Sequence, residues 1–95
     1  LLPVELIYFE TEYQDRIVKL KWATASEQNN SHFEIQRSIN GVDWTTLGEI
    51  NGAGNSFSEI SYDFLDESPL PGVNFYRIKQ WDFDNSFDFS STMNS

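Results

Sequence analysis

The sequence predicts an all-β domain, folded as a seven-stranded antiparallel β-sandwich. Seven short segments have strand character, turn residues separate them, and no segment shows the helical spacing of apolar residues. About a hundred residues with this pattern are typical of two sheets packed face to face. The predicted strands are 4–9, 16–22, 32–38, 43–50, 60–66, 73–82 and 87–91.

The best-defined strands alternate apolar and polar residues, which indicates one buried face and one wet face. In the second strand Val18, Leu20 and Trp22 share a face, and the lysines between them share the other. The same reasoning on the later strands completes the core. The predicted core residues are Trp22, Phe33, Ile35, Tyr62, Phe64, Tyr76 and Ile78.

Turn signals divide the middle of the chain. Asn40-Gly41 predicts a hairpin, because glycine tolerates the positive φ that tight turns need. On the returning strand Trp44 and Leu47 are three apart and cannot face the same way, which indicates a bulge or a short, twisted edge strand. Trp44 is expected at the rim of the core, with a platform for sugar rings as the alternative. The glycine- and asparagine-rich stretch 50–59 predicts a loop.

Composition limits the classes of partner. The net charge of −9 disfavours nucleic acid and anionic membrane surfaces, and the lack of cysteine excludes disulfides and thiolate metal sites. No apolar run approaches the ~20 residues of a membrane-spanning helix. The 95 residues are expected to form one domain, 1–95, cut from a longer protein and frayed at 1–3 and 92–95.

No motif for catalysis is present, so the domain is not expected to be an enzyme, and no cofactor is predicted. His32, the one histidine, falls on the outer face of its strand, and Gly54-Asn55-Ser56 lacks the GxSxG pattern of a nucleophile elbow. The metal candidate is a weak calcium site formed by Asp82, Asp84 and Asp88, whose spacing does not match an EF-hand loop. A plain solvated turn is the competing interpretation.

The aromatic residues near the end of the chain allow two interpretations. If Tyr76 and Ile78 face the core, strict alternation turns Trp81 and Phe83 outward, where they could bind a sugar or a protein. Two alternatives are favoured. One is a bulge near Gln80 that turns both rings inward and spares Gln80 and Asp82 from burial, and the other is partial cover of the rings by the neighbouring strand.

The segments LPVELIYF, VKLKWATASEQNNSHFEIQRSINGVDW and GVNFYRIKQWDFD resemble the fibronectin type III-like domains of secreted Bacteroidota proteins. Such domains precede a C-terminal sorting domain for type IX secretion, and their sandwich is immunoglobulin-like. Trp22 matches the family's core tryptophan, and Tyr76 matches the tyrosine of a tyrosine corner. Asp84-Asn85 departs from the family's usual Asp-Gly, which implies a looser turn.

The resemblance implies a secreted or cell-surface protein in which this domain is a non-catalytic spacer. It would position a neighbouring domain relative to a sorting or anchoring end, so its partners are the adjacent domains of the same chain. The alternative is a carbohydrate-binding or adhesive module whose exposed aromatics, Trp81, Phe83 and Trp44, contact a glycan or a protein.

Overall fold

The computed structural model describes residues 4–95, which form seven strands joined by turns. Every strand pairing is antiparallel. Nothing in this part of the chain has the helical length and hydropathy needed to cross a membrane. The strands are β1 (Val4–Gln14), β2 (Ile17–Ser38), β3 (Thr45–Ser56), β4 (Ile60–Asp66), β5 (Phe75–Asp82), β6 (Phe87–Phe89) and β7 (Met93–Asn94).

The long strand β2 organises the sheet. Its first half pairs with β1 on one side and with β4 on the other, whereas its second half pairs with β3 and β5. Between Glu27 and His32 the register shifts, and Asn29 adopts a φ of 56°. Left-handed residues and bulges bend a strand. The bend lets one sheet curl into a half-barrel that encloses the core.

The prediction of a two-sheet β-sandwich is therefore wrong on this point, and with it the fibronectin type III or immunoglobulin-like class. All seven strands belong to one hydrogen-bonded sheet. The predicted second and third strands, 16–22 and 32–38, are the two ends of β2, because the residues between them also pair. Alternation alone could not show this, since it is lost at the bend.

The core lies inside the curl of the sheet. Five of the seven predicted core residues are at most 1% exposed: Trp22, Phe33, Ile35, Tyr76 and Ile78. Tyr62 and Phe64 are partly buried and pack against this cluster. The Trp22 ring stacks on that of Tyr62 at 5.6 Å between centroids and meets Phe33 edge-on at 5.5 Å. Aromatic pairs in these arrangements gain about 0.5–1.5 kcal/mol beyond their buried area.

The bend in β2 is held by Glu27, a carboxylate that is only 2% exposed. One oxygen accepts hydrogen bonds from the Asn30 amide (2.7 Å) and the Ala53 backbone N–H (2.9 Å). The other accepts from the hydroxyls of Thr24 and Tyr62. Burial would raise the pKa of Glu27, but these donors, Tyr62 foremost, lower the pKa below its usual value. Glu27 thus joins β2, β3 and β4.

A second buried carboxylate, Asp66, lies at the other end of β4. It receives two hydrogen bonds from Arg37 Nη1, at 3.0 and 3.1 Å, and one from the Tyr76 hydroxyl at 2.6 Å. Burial and then the bond to Asp66 raise the pKa of Tyr76. The Tyr76 hydroxyl thus connects β5 to the end of β4, with the Asp66 carboxylate as acceptor.

The structure confirms one prediction about the connections and ends of the strands and corrects two others. The expected bulge is confirmed: Gly48 and Thr46 face successive residues of β2, which leaves Leu47 as the extra residue. The loop predicted over 50–59 is wrong up to Ser56, because β3 runs to that residue. The end predicted to fray, 92–95, contains β7, which pairs with the start of β5. Residues 1–3 lie outside the described residues.

Candidate ligand-binding surface

The outer face of β5 and β6, continued by the residue before β3, carries a row of aromatic rings and cations that we call the ladder. The ladder consists of Trp44, Arg77, Phe89, Lys79, Phe87 and Trp81. At one end, the Arg77 guanidinium lies between two rings, with Cζ 4.2 Å from the Trp44 centroid and 3.9 Å from that of Phe89. Such contacts are worth about 0.5–2 kcal/mol each.

At the other end of the ladder, Lys79 is surrounded by rings. Its Nζ lies 4.2 Å from the centroid of Trp81, 4.0 Å from that of Phe87 and 5.6 Å from that of Phe89. The Trp81 and Phe87 rings are themselves 5.0 Å apart. The cation therefore joins β5 to the short strand β6 through side chains as well as through the backbone.

Strand alternation and register create the ladder. Alternate residues of β5 point the same way, so Arg77, Lys79 and Trp81 share the outer face. Antiparallel pairing then sets Lys79 opposite Phe89, and Trp81 opposite Phe87. Strict alternation in the sequence had also put Arg77, Lys79 and Trp81 on one face. The two phenylalanines were missed, although their own alternation across FDF was an available signal.

Glu34, on the adjacent strand β2, fixes the ladder from one side. Its Oε1 accepts a hydrogen bond from Trp81 Nε1 (3.0 Å), and its Oε2 accepts from Gln36 and Thr46, both at 2.6 Å. Burial would raise the pKa of Glu34, but these bonds and the nearby Lys79 charge lower the pKa. The Gln36 oxygen in turn accepts from Arg77 Nε at 2.7 Å. The ladder is thus held in place before any ligand arrives.

The two ladder cations keep donors free. Within residues 4–95, neither Arg77 nor Lys79 has a carboxylate oxygen within 4.0 Å. Arg77 uses Nε for Gln36, and its terminal nitrogens donate to no residue of the described chain. Burial lowers the pKa of Arg77, and the negative charge of Glu34 opposes that effect only in part. An anion at this surface would find two partly dehydrated cations.

Of the two favoured interpretations of Trp81, the bulge near Gln80 is wrong, whereas the ring is partly covered by Phe87 of the neighbouring strand β6. The β5 register runs unbroken from Phe75 to Trp81, and the extra residue in this pairing is Ser31 of β2. Gln80 is buried instead, and its amide donates to Asn30 (2.9 Å) and Asp82 (2.7 Å). Because these partners satisfy the amide, its burial carries no large penalty.

The other aromatic candidates are dispersed. Trp44 is half-buried under Arg77 at the start of β3. Phe83 lies past the end of β5, is 63% exposed, and contacts neither tryptophan ring within the described chain. His32 stacks on Trp81 at 6.1 Å and lies 3.9 Å from Glu49. The structure therefore brings Trp44 and Trp81 to one face and leaves Phe83 apart.

The acidic turn after β5 is bonded internally. The Asp82 N–H donates to the Ser86 carbonyl, the Asn85 N–H donates to the Asp82 carbonyl, and Asn85 takes a φ of 70°. The Ser86 hydroxyl and N–H donate to Asp84, which lowers the pKa of that carboxyl. Asp88 lies on the opposite face of β6 from the ladder. Across residues 4–95, no three His, Cys, Asp or Glu side chains are grouped to hold a metal ion.

A cleft of about 250 Å³ opens between β1 and β6, where the curled sheet does not close. Its apolar lining residues are Val4, Leu6, Phe33, Ile78 and Phe89, and its polar ones are Gln80, Asp88 and Ser90. The Gln80 amide already donates to Asn30 and Asp82, and the Ser90 hydroxyl donates to the Ser91 carbonyl.

Comparisons with known proteins bear on the fold alone. No family model matches the chain, and no curated protein matches it. Among the solved structures that match are two pectate lyases. Pectate lyase Pel3 from Pectobacterium carotovorum has a TM-score of 0.71 at 18% identity, over 96% of this chain and 26% of that one. Pectate lyase PelI from Erwinia chrysanthemi, in complex with tetragalacturonic acid, has a TM-score of 0.70 at 13% identity, over 99% and 28%.

This chain thus spans about a quarter of the length of the pectate lyases that it resembles. At such identities the likeness shows a shared fold for that segment. Together with the single curled sheet, it replaces the predicted two-sheet sandwich with the fold of a segment of larger enzymes.

Proposed function

We propose that this domain is a non-catalytic structural module that holds neighbouring parts of a secreted or cell-surface protein at a fixed separation. The position of its two ends carries the proposal. Val4 pairs with Glu27 at the bend of β2, whereas the Asn94 carbonyl accepts a hydrogen bond from Thr11. Thr11 is seven residues along β1 from Val4, so the two ends lie at most about 24 Å apart along this strand. The first and last described residues thus lie near opposite ends of the domain.

The interior supports this role. The buried carboxylates Glu27 and Asp66 each receive several hydrogen bonds from side chains or backbone, so both are committed to holding strands together. An extended, well-tied domain of 38 × 23 × 18 Å is suited to transmit a set distance. The pectate lyases that share the fold contain it as about a quarter of a longer chain, which supports a role as one module among others.

Energy transfer between two fluorescent proteins fused to the two ends tests the proposal. We expect a constant transfer efficiency from zero urea to the start of unfolding, followed by one cooperative change. A Gly/Ser linker of equal length is the control, because its ends would average about 50–60 Å apart and respond gradually. A transfer efficiency equal to that of the linker in buffer would refute the proposed spacer.

A second function, carbohydrate binding, is favoured by one observation: the ladder leaves aromatic surface open. Phe87 and Phe89 remain 47% and 45% exposed although cations lie against their rings. One of the similar structures was solved in complex with tetragalacturonic acid. A pull-down with insoluble polysaccharides, comparing the chain with its Phe87→Ser variant, tests this function. Binding that depends on Phe87 would support it.

A further inference from the structure

We infer that the ladder binds a polysaccharide that carries carboxylates, such as a polymer of uronic acids, through Arg77 and Lys79. This inference rests on the second function proposed above and adds the charge of the ligand and the groups that recognise it. The first observation is the fixed orientation of the Arg77 guanidinium. Its plane is fixed by two rings and by Gln36, so its free N–H edge is oriented in advance. A guanidinium fixed in this way can pair with a carboxylate through two hydrogen bonds.

The second observation is the spacing of the two cations. Arg77 and Lys79 are two residues apart on one strand face, which separates their backbones by about 7 Å. Glu34 is the residue of β2 opposite Lys79, and its oxygens already accept three hydrogen bonds. Glu34 therefore leaves Lys79 with unused donors. Two cations at a set distance match a polymer that carries repeated carboxylates.

The third observation is the apolar part of the surface. Phe87 and Phe89 follow the cations along the neighbouring strand, and both residues are about half exposed. A pyranose ring has an apolar C–H face that can lie on such a ring. An acidic peptide fits less well, because peptides are commonly bound at sheet edges or in grooves. The ladder lies on the face of the sheet, where side chains rather than main-chain groups are presented.

The charge of the whole domain limits the strength of binding. A net charge of −9 repels a polyanion at long range, so recognition has to come from the local cations. Salt at physiological concentration screens charges beyond about 8 Å, which reduces the repulsion from distant carboxylates more than the direct contact. We therefore expect weak binding to depend on contact with Lys79 and Arg77.

The experiment compares polygalacturonate with its fully methyl-esterified form, which has the same backbone without the charge. Binding is measured by titration calorimetry, with circular dichroism as the check on folding. We expect binding to the acid form and none to the ester. Lys79→Met should weaken binding about three- to fivefold, the value of one exposed ion pair, and Lys79→Arg should restore it. Lys19→Met removes a lysine that forms no ion pair within residues 4–95, and this matched control should have no effect.

Each other result rejects the inference in a distinguishable way. Equal binding of the ester would overturn the role of the carboxylate and leave carbohydrate binding in place. No binding of either polymer would reject the inference, whereas carbohydrate binding in general is decided by the pull-down with insoluble polysaccharides, and the spacer function would be untouched. Equal binding of poly-glutamate would show a general anion surface and overturn the assignment to a polysaccharide. If the folded Lys79→Met variant bound with unchanged affinity, the binding site would lie elsewhere than on the ladder.

Discussion

Replacing Glu27 by glutamine tests whether a buried carboxylate holds the bend of β2. The side chain is 2% exposed and accepts four hydrogen bonds from neutral donors. Glutamine has nearly the same shape, and its oxygen can keep the bonds from Asn30 and Ala53. Its amide would then face the hydroxyls of Thr24 and Tyr62, which can rotate to accept. The change therefore removes the charge and leaves the packing.

The magnitude follows from the four bonds. Hydrogen bonds to a charged group contribute about 1.5–3 kcal/mol and neutral ones about 0.5–1.5, so the charge adds about 1 kcal/mol per bond. Glutamine also avoids the cost of burying a charge, which offsets part of the sum. We expect Glu27→Gln to lower the free energy of unfolding by about 2–3 kcal/mol at pH 7, measured by urea unfolding followed through tryptophan fluorescence.

The effect should depend on pH with a defined sign. The pKa of Glu27 is lower in the folded protein than its usual value, so ionisation favours folding. That contribution is complete above about pH 4.3 to 4.5 and is lost as the pH falls through the folded pKa. The difference between the native protein and Glu27→Gln should therefore shrink between pH 7 and pH 3. Glu10→Gln, at an exposed position on β1, should change stability by less than about 0.5 kcal/mol at either pH.

Two results would refute this reasoning. A difference below about 0.5 kcal/mol at pH 7 would mean that the four bonds do not depend on the charge of Glu27. A difference that stays constant down to pH 3 would mean that the loss comes from packing. Either result would show that the negative charge of Glu27 does not hold the bend of β2.

Three further substitutions test other parts of the fold. Tyr76→Phe removes the hydrogen bond to buried Asp66 and should cost about 1–3 kcal/mol, read from urea unfolding; an unchanged midpoint would contradict a role for the hydroxyl. Gly52→Ala should cost about 1–3 kcal/mol, because a Cβ there would overlap the Asn30 side-chain amide; a more stable variant in thermal unfolding would show that Asn30 moves freely. Trp22→Ala should lower the free energy of unfolding by about 3–5 kcal/mol, so the variant should no longer show a cooperative thermal transition. A variant that keeps the near-ultraviolet dichroism of the folded protein would argue against Trp22 as the centre of the core.

The sequence predicted the parts of the fold that follow a local period. Trp22, Phe33, Ile35, Tyr76 and Ile78 alternate along their strands, and all five are buried. The spacing of apolar residues was informative on β3 as well. The uneven spacing of Trp44 and Leu47 indicated a bulge or a short, twisted edge strand, and the structure has a bulge with Leu47 as the extra residue. The alternation and the uneven spacing depend on residues that are close in the sequence, so both can be recognised without knowledge of the tertiary structure.

The path of β2 could not be predicted in this way. Between residues 23 and 31 the alternation of apolar and polar residues is lost, and polar residues such as Glu27 and Asn30 interrupt it. The pattern therefore suggested two separate strands. In the structure these polar groups are buried and bonded to each other and to β3 and β4. A buried polar network is specified by distant partners. Its members look like loop residues until those partners are known.

The candidate surface shows the same division between local and distant information. Alternation on β5 placed Arg77, Lys79 and Trp81 on one face, but the preference for a bulge at Gln80 came from the cost of burying an amide. Asn30, fifty residues earlier, removes that cost by accepting from Gln80. The wrong prediction of a bulge thus came from a hydrogen-bond partner that is distant in the sequence. The alternation along β5 had predicted correctly which residues share a face.

The ladder has two physical roles that make different demands on its cations. β6 is three residues long, and so short a strand gains little from its backbone bonds alone. Lys79 and Arg77, lying over Phe87 and Phe89, add contacts that fasten β6 to β5 and need only a cation over a ring. Ligand binding needs something more, namely N–H groups that no residue of the described chain uses. Because a cation–ring contact engages the face of the ring and leaves the N–H edge of the guanidinium free, one arrangement can meet both demands at once. The structural role also fixes those donors before a ligand arrives, which reduces the entropy lost on binding.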